Sequence, residues 1–141
     1  MRFLKPFISV CFVFIGIALF GQDTIKQKKK VSRVQYGTAS FYDNKFNGRK
    51  TASGEIFSQK KLTGAHNTLP LGTYVKVTNL RNKKSVIVKI NDRLHAKNTR
   101  LIDLTRTAAT QLGYIKSGLT RVKVEILGKT RPADKQKYVR K

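Results

Sequence analysis

A mainly β domain, a barrel or sandwich of short strands broken by one helix, is what the apolar pattern predicts over residues 34–127 of this 141-residue chain. Three observations carry that expectation. Tyr74-Val-Lys-Val-Thr-Asn79 and Thr120-Arg-Val-Lys-Val-Glu-Ile-Leu127 alternate apolar and polar residues, the period of a half-buried strand. Ser85-Val-Ile-Val-Lys-Ile-Asn91 is rich in β-branched residues, which pack well on a pleated surface. Only around Leu104, Ala108, Ala109 and Leu112 do apolar residues fall on one helical face, with Gly113 placed to end the helix.

Before the domain, residues 1–21 read as a secretory signal: Arg2 and Lys5 give a positive start, and residues 7–20 are almost wholly apolar but too short for a comfortable span. Cys11, the single cysteine, lies inside that run rather than closing it, so the segment has no lipid-anchor box. Its loss with the signal leaves no disulfide and no thiolate metal site, and no cofactor is expected. Residues 22–33 form a polar, basic linker and residues 128–141 a basic tail, both expected to be disordered. Between them, a first extended segment contains Tyr36, Ala39, Phe41 and Tyr42, and Leu80-Arg-Asn-Lys-Lys84 is a hairpin turn between two strands.

The chain holds 30 basic and 7 acidic residues; without Arg2 and Lys5 the net charge is about +21. Such an excess implies a polyanionic neighbour. Export directs that expectation away from nucleic acid and towards cell-wall glycan or an anionic envelope surface. A monomer is expected, and a solvated, aggregation-resistant surface is the plainer account of the charge.

The chemistry concentrates in residues 51–74. Thr51-Ala-Ser-Gly54 is loop-forming, and Leu69-Pro-Leu-Gly72 makes a second turn. They carry Glu55 and His66, an acid and an imidazole on loops beside a strand-rich scaffold. Taken singly, Glu55 reads as a solvated carboxylate and His66 as a satisfied structural histidine. Asp103, just before the helical pattern, reads as its cap. Asp92 closes a strand, and the following Arg93 either pairs with it or holds an anionic ligand. Phe41 reads as core, Tyr42 as core or sugar platform, and His95 as an exposed loop histidine or a partner of Asp92.

Taken together, Gly37-Thr-Ala-Ser-Phe-Tyr42, Thr51-Ala-Ser-Gly-Glu-Ile-Phe57, Ala65-His-Asn-Thr-Leu-Pro-Leu-Gly-Thr73, Val77-Thr-Asn79, Ile90-Asn-Asp-Arg93 and Leu101-Ile-Asp-Leu-Thr105 form an ordered set. This set resembles the rare lipoprotein A family, septal-ring lytic transglycosylases related more distantly to expansins. The resemblance implies a six-stranded double-psi β-barrel with one short helix and a groove over one side. It implies that Glu55, His66 and Asp92 are catalytic, Glu55 as the favoured general acid/base assisted by the other two, and that Asp103 is a catalytic or groove-lining carboxylate; Arg93 and Tyr42 are, on their own chemistry, candidates for supporting or binding substrate. The implied reaction cleaves the MurNAc–GlcNAc bond of peptide-poor peptidoglycan strands without water, leaving a 1,6-anhydro sugar. Where the family continues Asn-Asp-Arg with Gly-Pro, this chain has Leu94-His95, and Ser58 replaces a frequent aspartate. A C-terminal SPOR domain has no room here, so septal targeting is not implied.

That reaction needs a group to protonate the leaving oxygen and a base to take the muramyl 6-hydroxyl proton. A positive field favours ionised carboxylates, so an acid at Glu55 is expected to need burial or a close second carboxylate such as Asp92. The alternative expectation is a non-catalytic, expansin-like module that grips wall glycan. An exported nucleic-acid or lipid-binding protein is the third.

Overall fold

The computed structural model describes residues 33–132. The expected signal, nearly all of the linker and residues 133–141 of the tail lie outside the described residues. Six strands close into a barrel: β1 (Val34–Phe41), β2 (Thr63–Ala65), β3 (Tyr74–Asn79), β4 (Ser85–Asp92), β5 (Ile102–Leu104) and β6 (Thr120–Gly128). Around the barrel the order is β1-β5-β2-β4-β3-β6. The β1–β5 and β2–β4 pairs are parallel and the other four antiparallel, so the chain crosses over the barrel instead of meandering around it.

Alternation builds the interior. Val75 and Val77 of β3, Val86, Val88 and Ile90 of β4, and Val122 and Val124 of β6 all turn inward and are buried with Ala39, Ile102 and Leu104. The hairpin between β3 and β4 forms as the turn chemistry predicts, with Lys83 taking a φ of 63°. Helix α1 (Arg106–Leu112) buries Ala108, Ala109 and Leu112 against this core. Its end is Gly113, whose φ of 76° suits a residue without Cβ.

Two expectations are corrected here. Asp103 is not the helix cap: it lies in β5, and Thr105 is the cap, its side chain accepting from Ala108 N–H. Leu104 likewise belongs to β5, buried from a strand rather than from the helix. Both ends of α1 are tied to distant loops. At the start, Gln59 Oε1 accepts from Arg106 N–H at 2.8 Å, while Gln59 Nε2 donates to the Tyr42 carbonyl at 2.7 Å. At the end, Asn79 Nδ2 and Asn82 Nδ2 each donate to the Leu112 carbonyl at 2.9 Å, supplying partners that a helix C-terminus lacks.

Past β6, two residues of the expected tail touch the barrel. Lys129 Nζ donates to the Leu71 carbonyl at 2.6 Å, and the Arg131 guanidinium lies over the Tyr74 ring, 5.9 Å from its centroid.

Asn79 is only 2% exposed, and its Oδ1 also accepts from Arg81 N–H and the Thr120 hydroxyl. Asn79→Ala leaves the buried Thr120 hydroxyl without this partner and is expected to lower unfolding free energy by about 1–3 kcal/mol in urea titration. A loss below about 0.5 kcal/mol is ordinary for a surface site and would show that the barrel does not depend on this link.

Candidate active site

The turn at residues 51–55 separates two cavities. Gly54 N–H donates to the Thr51 carbonyl at 2.9 Å, and Thr51 N–H to the Glu55 carbonyl at 2.8 Å. Gly54 has a φ of 87°, a conformation that glycine adopts without steric cost. Two bonds pin the turn to the end of β4: Ser53 N–H to the Asn91 carbonyl, and Ala52 N–H to Asp92 Oδ1, both at 3.0 Å.

On one side lies a cavity of about 640 Å³ bordered by Tyr42, Asp92, Arg93, Arg100 and Asp103. Asp92 is fixed by three donors. Its Oδ2 accepts from the Tyr42 hydroxyl at 2.7 Å, and its Oδ1 accepts from the N–H groups of Ala52 and Arg93 at 3.0 and 2.9 Å. A carboxylate offers about four acceptor positions, so Oδ2 keeps one for a ligand. Tyr42 holds its proton firmly, because burial, and then the bond to Asp92, push its hydroxyl far above the usual phenol range. Its ring packs on Phe57 and Phe46, at centroid distances of 4.5 and 5.7 Å.

Asp103 shares this cavity but is occupied. Arg100 grips it with a fork, Nε to Oδ1 at 2.8 Å and Nη2 to Oδ2 at 3.0 Å, and that bond holds the guanidinium above its usual pKa. Arg93 turns away from Asp92, sending Nη1 to the His66 carbonyl at 2.6 Å. His95 also borders the cavity, with no bond to Asp92; its Nδ1 accepts from Lys97 N–H within its own turn. Where the family's Gly-Pro is replaced, Leu94 is buried and its N–H donates to Asn67 Oδ1 at 2.8 Å, so the loop is anchored by a side chain.

Glu55 faces the other way, into a cavity of about 750 Å³ on the far side of the turn. Lys89 Nζ lies 2.6 Å from its Oε1 and Asn91 Nδ2 3.0 Å from its Oε2. The carboxyl is therefore held below its ordinary pKa, first by the Lys89 bond and then by Asn91. The expected arrangement, in which burial or Asp92 raises Glu55, is not the one found. Its side chain is 36% exposed and its nearest charge is a cation.

His66 stands behind Asp92 rather than in either cavity. The ring is 2% exposed; Nε2 donates to Gln35 Oε1 at 2.7 Å and Nδ1 accepts from Thr68 N–H at 3.1 Å. Its backbone N–H donates to the Asp92 carbonyl at 3.1 Å, so His66 braces the strand end that carries the carboxylate. Lys89, Asn91, Arg100 and Gln35 were not singled out by sequence reasoning. Arg100 carried a local signal, three residues before Asp103, and Asn91 lay within the motif that holds Asp92. Among the described residues, no cluster of three His, Cys, Asp or Glu side chains fits a metal ion.

Burial, with Arg93 nearby, pushes the His66 imidazole down to about 4 from its ordinary 6.5. The unfolded chain then binds more protons than the folded one between those values, so stability rises with pH across that window. Acidifying from pH 7 to about 4 is expected to remove up to about 3 kcal/mol through this group. Glu55, whose carboxyl is held low by its partners, gives up its contribution only below its unfolded pKa. Urea titrations at pH 7 and 5 should show a shallower pH dependence for His66→Gln than for the parent; equal slopes would remove the assignment.

The family model described as "Lytic transglycolase" matches residues 34–124. The endolytic peptidoglycan transglycosylase RlpA of Pasteurella multocida is 57% identical over 91 residues, covering 64% of this chain and 31% of that protein. Its namesake from Haemophilus influenzae is 49% identical over 96 residues, covering 68% of this chain and 33% of that protein. The chain thus spans about a third of the length of these relatives. Among solved structures, the expansin of Clavibacter michiganensis superposes with a TM-score of 0.56 at 19% identity, covering 70% of this chain and 52% of that one, which is a likeness of fold. With its closed six-stranded barrel and the family match across that barrel, the chain belongs to the lytic transglycolase family of double-psi β-barrels.

Proposed function

We propose that this chain is an exported lytic transglycosylase domain that cleaves the MurNAc–GlcNAc bond of peptide-poor glycan strands in the cell envelope and leaves 1,6-anhydro-MurNAc ends. The observation that carries the reading is Asp92, held by Tyr42, Ala52 and Arg93 at the border of a cavity of about 640 Å³, with acceptor capacity left on Oδ2. A base for the muramyl 6-hydroxyl needs such a fixed, accessible oxygen. Because that hydroxyl belongs to the sugar under attack, holding the ring in shape replaces activation of a water. The MurNAc–GlcNAc bond breaks as O6 bonds to the anomeric carbon; Asp92 takes the O6 proton and returns it to the leaving oxygen, so the carboxylate is regenerated.

Asp92 is the carboxylate at the reacting sugar in this reading. Glu55 acts through the turn: its bonds to Lys89 and Asn91 anchor the segment that brings Ala52 N–H to Asp92. Tyr42 and His66 position Asp92 from either side. Asp103, engaged at both oxygens by Arg100, contributes to binding rather than proton transfer. That fork also supports the second reading, a glycan-gripping module without turnover, in which this groove serves recognition alone.

Incubation with amidase-stripped strands, followed by mass spectrometry of the ends, separates these readings. Anhydromuramyl ends are expected with the parent and at least about 100-fold fewer with Asp92→Asn. Glu55→Gln and Lys89→Met are expected to lower turnover to similar extents, since each breaks the same ion pair. If Glu55→Gln abolishes turnover while Lys89→Met retains it, Glu55 carries the proton itself. Binding by the parent with no anhydro ends establishes the non-catalytic module.

A further inference from the structure

We propose that the cavity of about 750 Å³ on the outer face of β3 and β4 is a second binding site, for a carboxylate-bearing glycan strand, separate from the Asp92 cavity. Strand alternation makes its wall. While Val75, Val77 and Val88 point into the core, Tyr74 and Lys76 of β3 and Ile87 and Lys89 of β4 line the cavity. Lys61, Leu62 and Arg131 also border it.

Four cations therefore meet one carboxylate, Glu55, whose charge is already matched by Lys89. No salt bridge among the described residues engages Lys61 or Lys76. Unmatched positive charge around a concavity raises the local concentration of an anion. The rest of the lining narrows the class of anion. Leu62 and Ile87, each 37% exposed, offer apolar faces of the kind that pack against sugar rings, beside the Tyr74 ring, one face of which Arg131 covers. A peptide-free strand presents both features, apolar ring faces and a lactyl carboxylate on every muramyl unit.

Shape argues against a bilayer, because these apolar groups line a hollow that a flat headgroup surface does not enter. Charge argues against the chain's own continuation, since Lys135, Lys137, Arg140 and Lys141 outnumber Asp134 after Pro132. The glycan's identity rests on the proposed function; the site itself requires no catalysis. Occupied together with the Asp92 cavity, it gives the protein a hold on glycan that does not depend on the bond being cut.

The test uses the full chain carrying Asp92→Asn, so that strands are not consumed, with and without the pair Lys61→Gln and Lys76→Gln. Peptide-free strands are expected to bind about tenfold more weakly to the lysine-substituted chain, and strands whose carboxyls have been reduced to alcohols should bind both chains alike. Equal binding of acidic strands by the two chains overturns the proposal, as does no binding by either. Phosphatidylglycerol vesicles or duplex DNA that bind more tightly than the strands, and lose that binding with the two lysines, assign the cavity to phosphate polyanions and overturn it as well. Anhydro ends are scored separately with the parent Asp92. Their absence removes the catalytic reading alone, whereas unchanged strand binding by the lysine variant removes this site alone.

Discussion

The parallel pairing of β2 with β4 is the constraint on which the site depends. Thr63 pairs with Lys89 and Gly64 with Ile90, but Ala65 pairs with Asp92, so Asn91 is an extra residue at the register shift. Such an insertion bends a strand and re-aims the side chains around it. Here Lys89 and Asn91 both reach Glu55, and Asp92, next along, reaches Tyr42. Gly64 suits the partner strand, because a Cβ there would lie 3.0 Å from both the Asp103 carbonyl oxygen and Leu104 Cδ2, closer than most Cβ contacts. Two carboxylate environments follow from one irregularity in one pair of strands.

Scarcity of acid gives that arrangement its weight. Of the seven acidic residues, five are described, and each is committed to a specific donor or cation. Asp43 accepts from Lys45 N–H, Glu125 lies 3.2 Å from Lys123 Nζ, and Arg100 takes Asp103. Glu55 shows the effect of a basic neighbour directly, its carboxyl held low by the nearest lysine. An acid role for Glu55 therefore requires that Lys89 be drawn off first.

Four of the strands were legible because their alternation is long enough to register: β1, β3, β4 and β6 run six to nine residues. Strands β2 and β5 have three residues each, too few for any period, and only the resemblance implied the closed six-stranded barrel that contains them. Their shortness also explains Asp103. A carboxylate one turn before a helical pattern looks like a cap, yet Leu104 and Asp103 are claimed by pairing with β1 and β2, and Thr105 caps instead. In the candidate site, Glu55, Asp92 and Tyr42 were legible as motif residues. Their pairings were not, since Lys89 and Asn91 lie 34 and 36 residues from Glu55, and although Asn91 sits in the motif beside Asp92, nothing local points it at Glu55. His66 carried the same motif signal, but its ring is turned into the protein by Gln35, 31 residues earlier.

The turn at residues 51–55 joins what the register shift separates. Ala52 N–H ends on Asp92 and the Glu55 side chain ends on Lys89 and Asn91, so the two cavities share one short, hydrogen-bonded segment. An anion that competes for Lys89 competes with Glu55 for the same ammonium. Weakening that pair releases one end of the turn whose other end holds Asp92. Coupling between the cavities requires only that this turn have a bound and a loosened arrangement with different affinities for ligand.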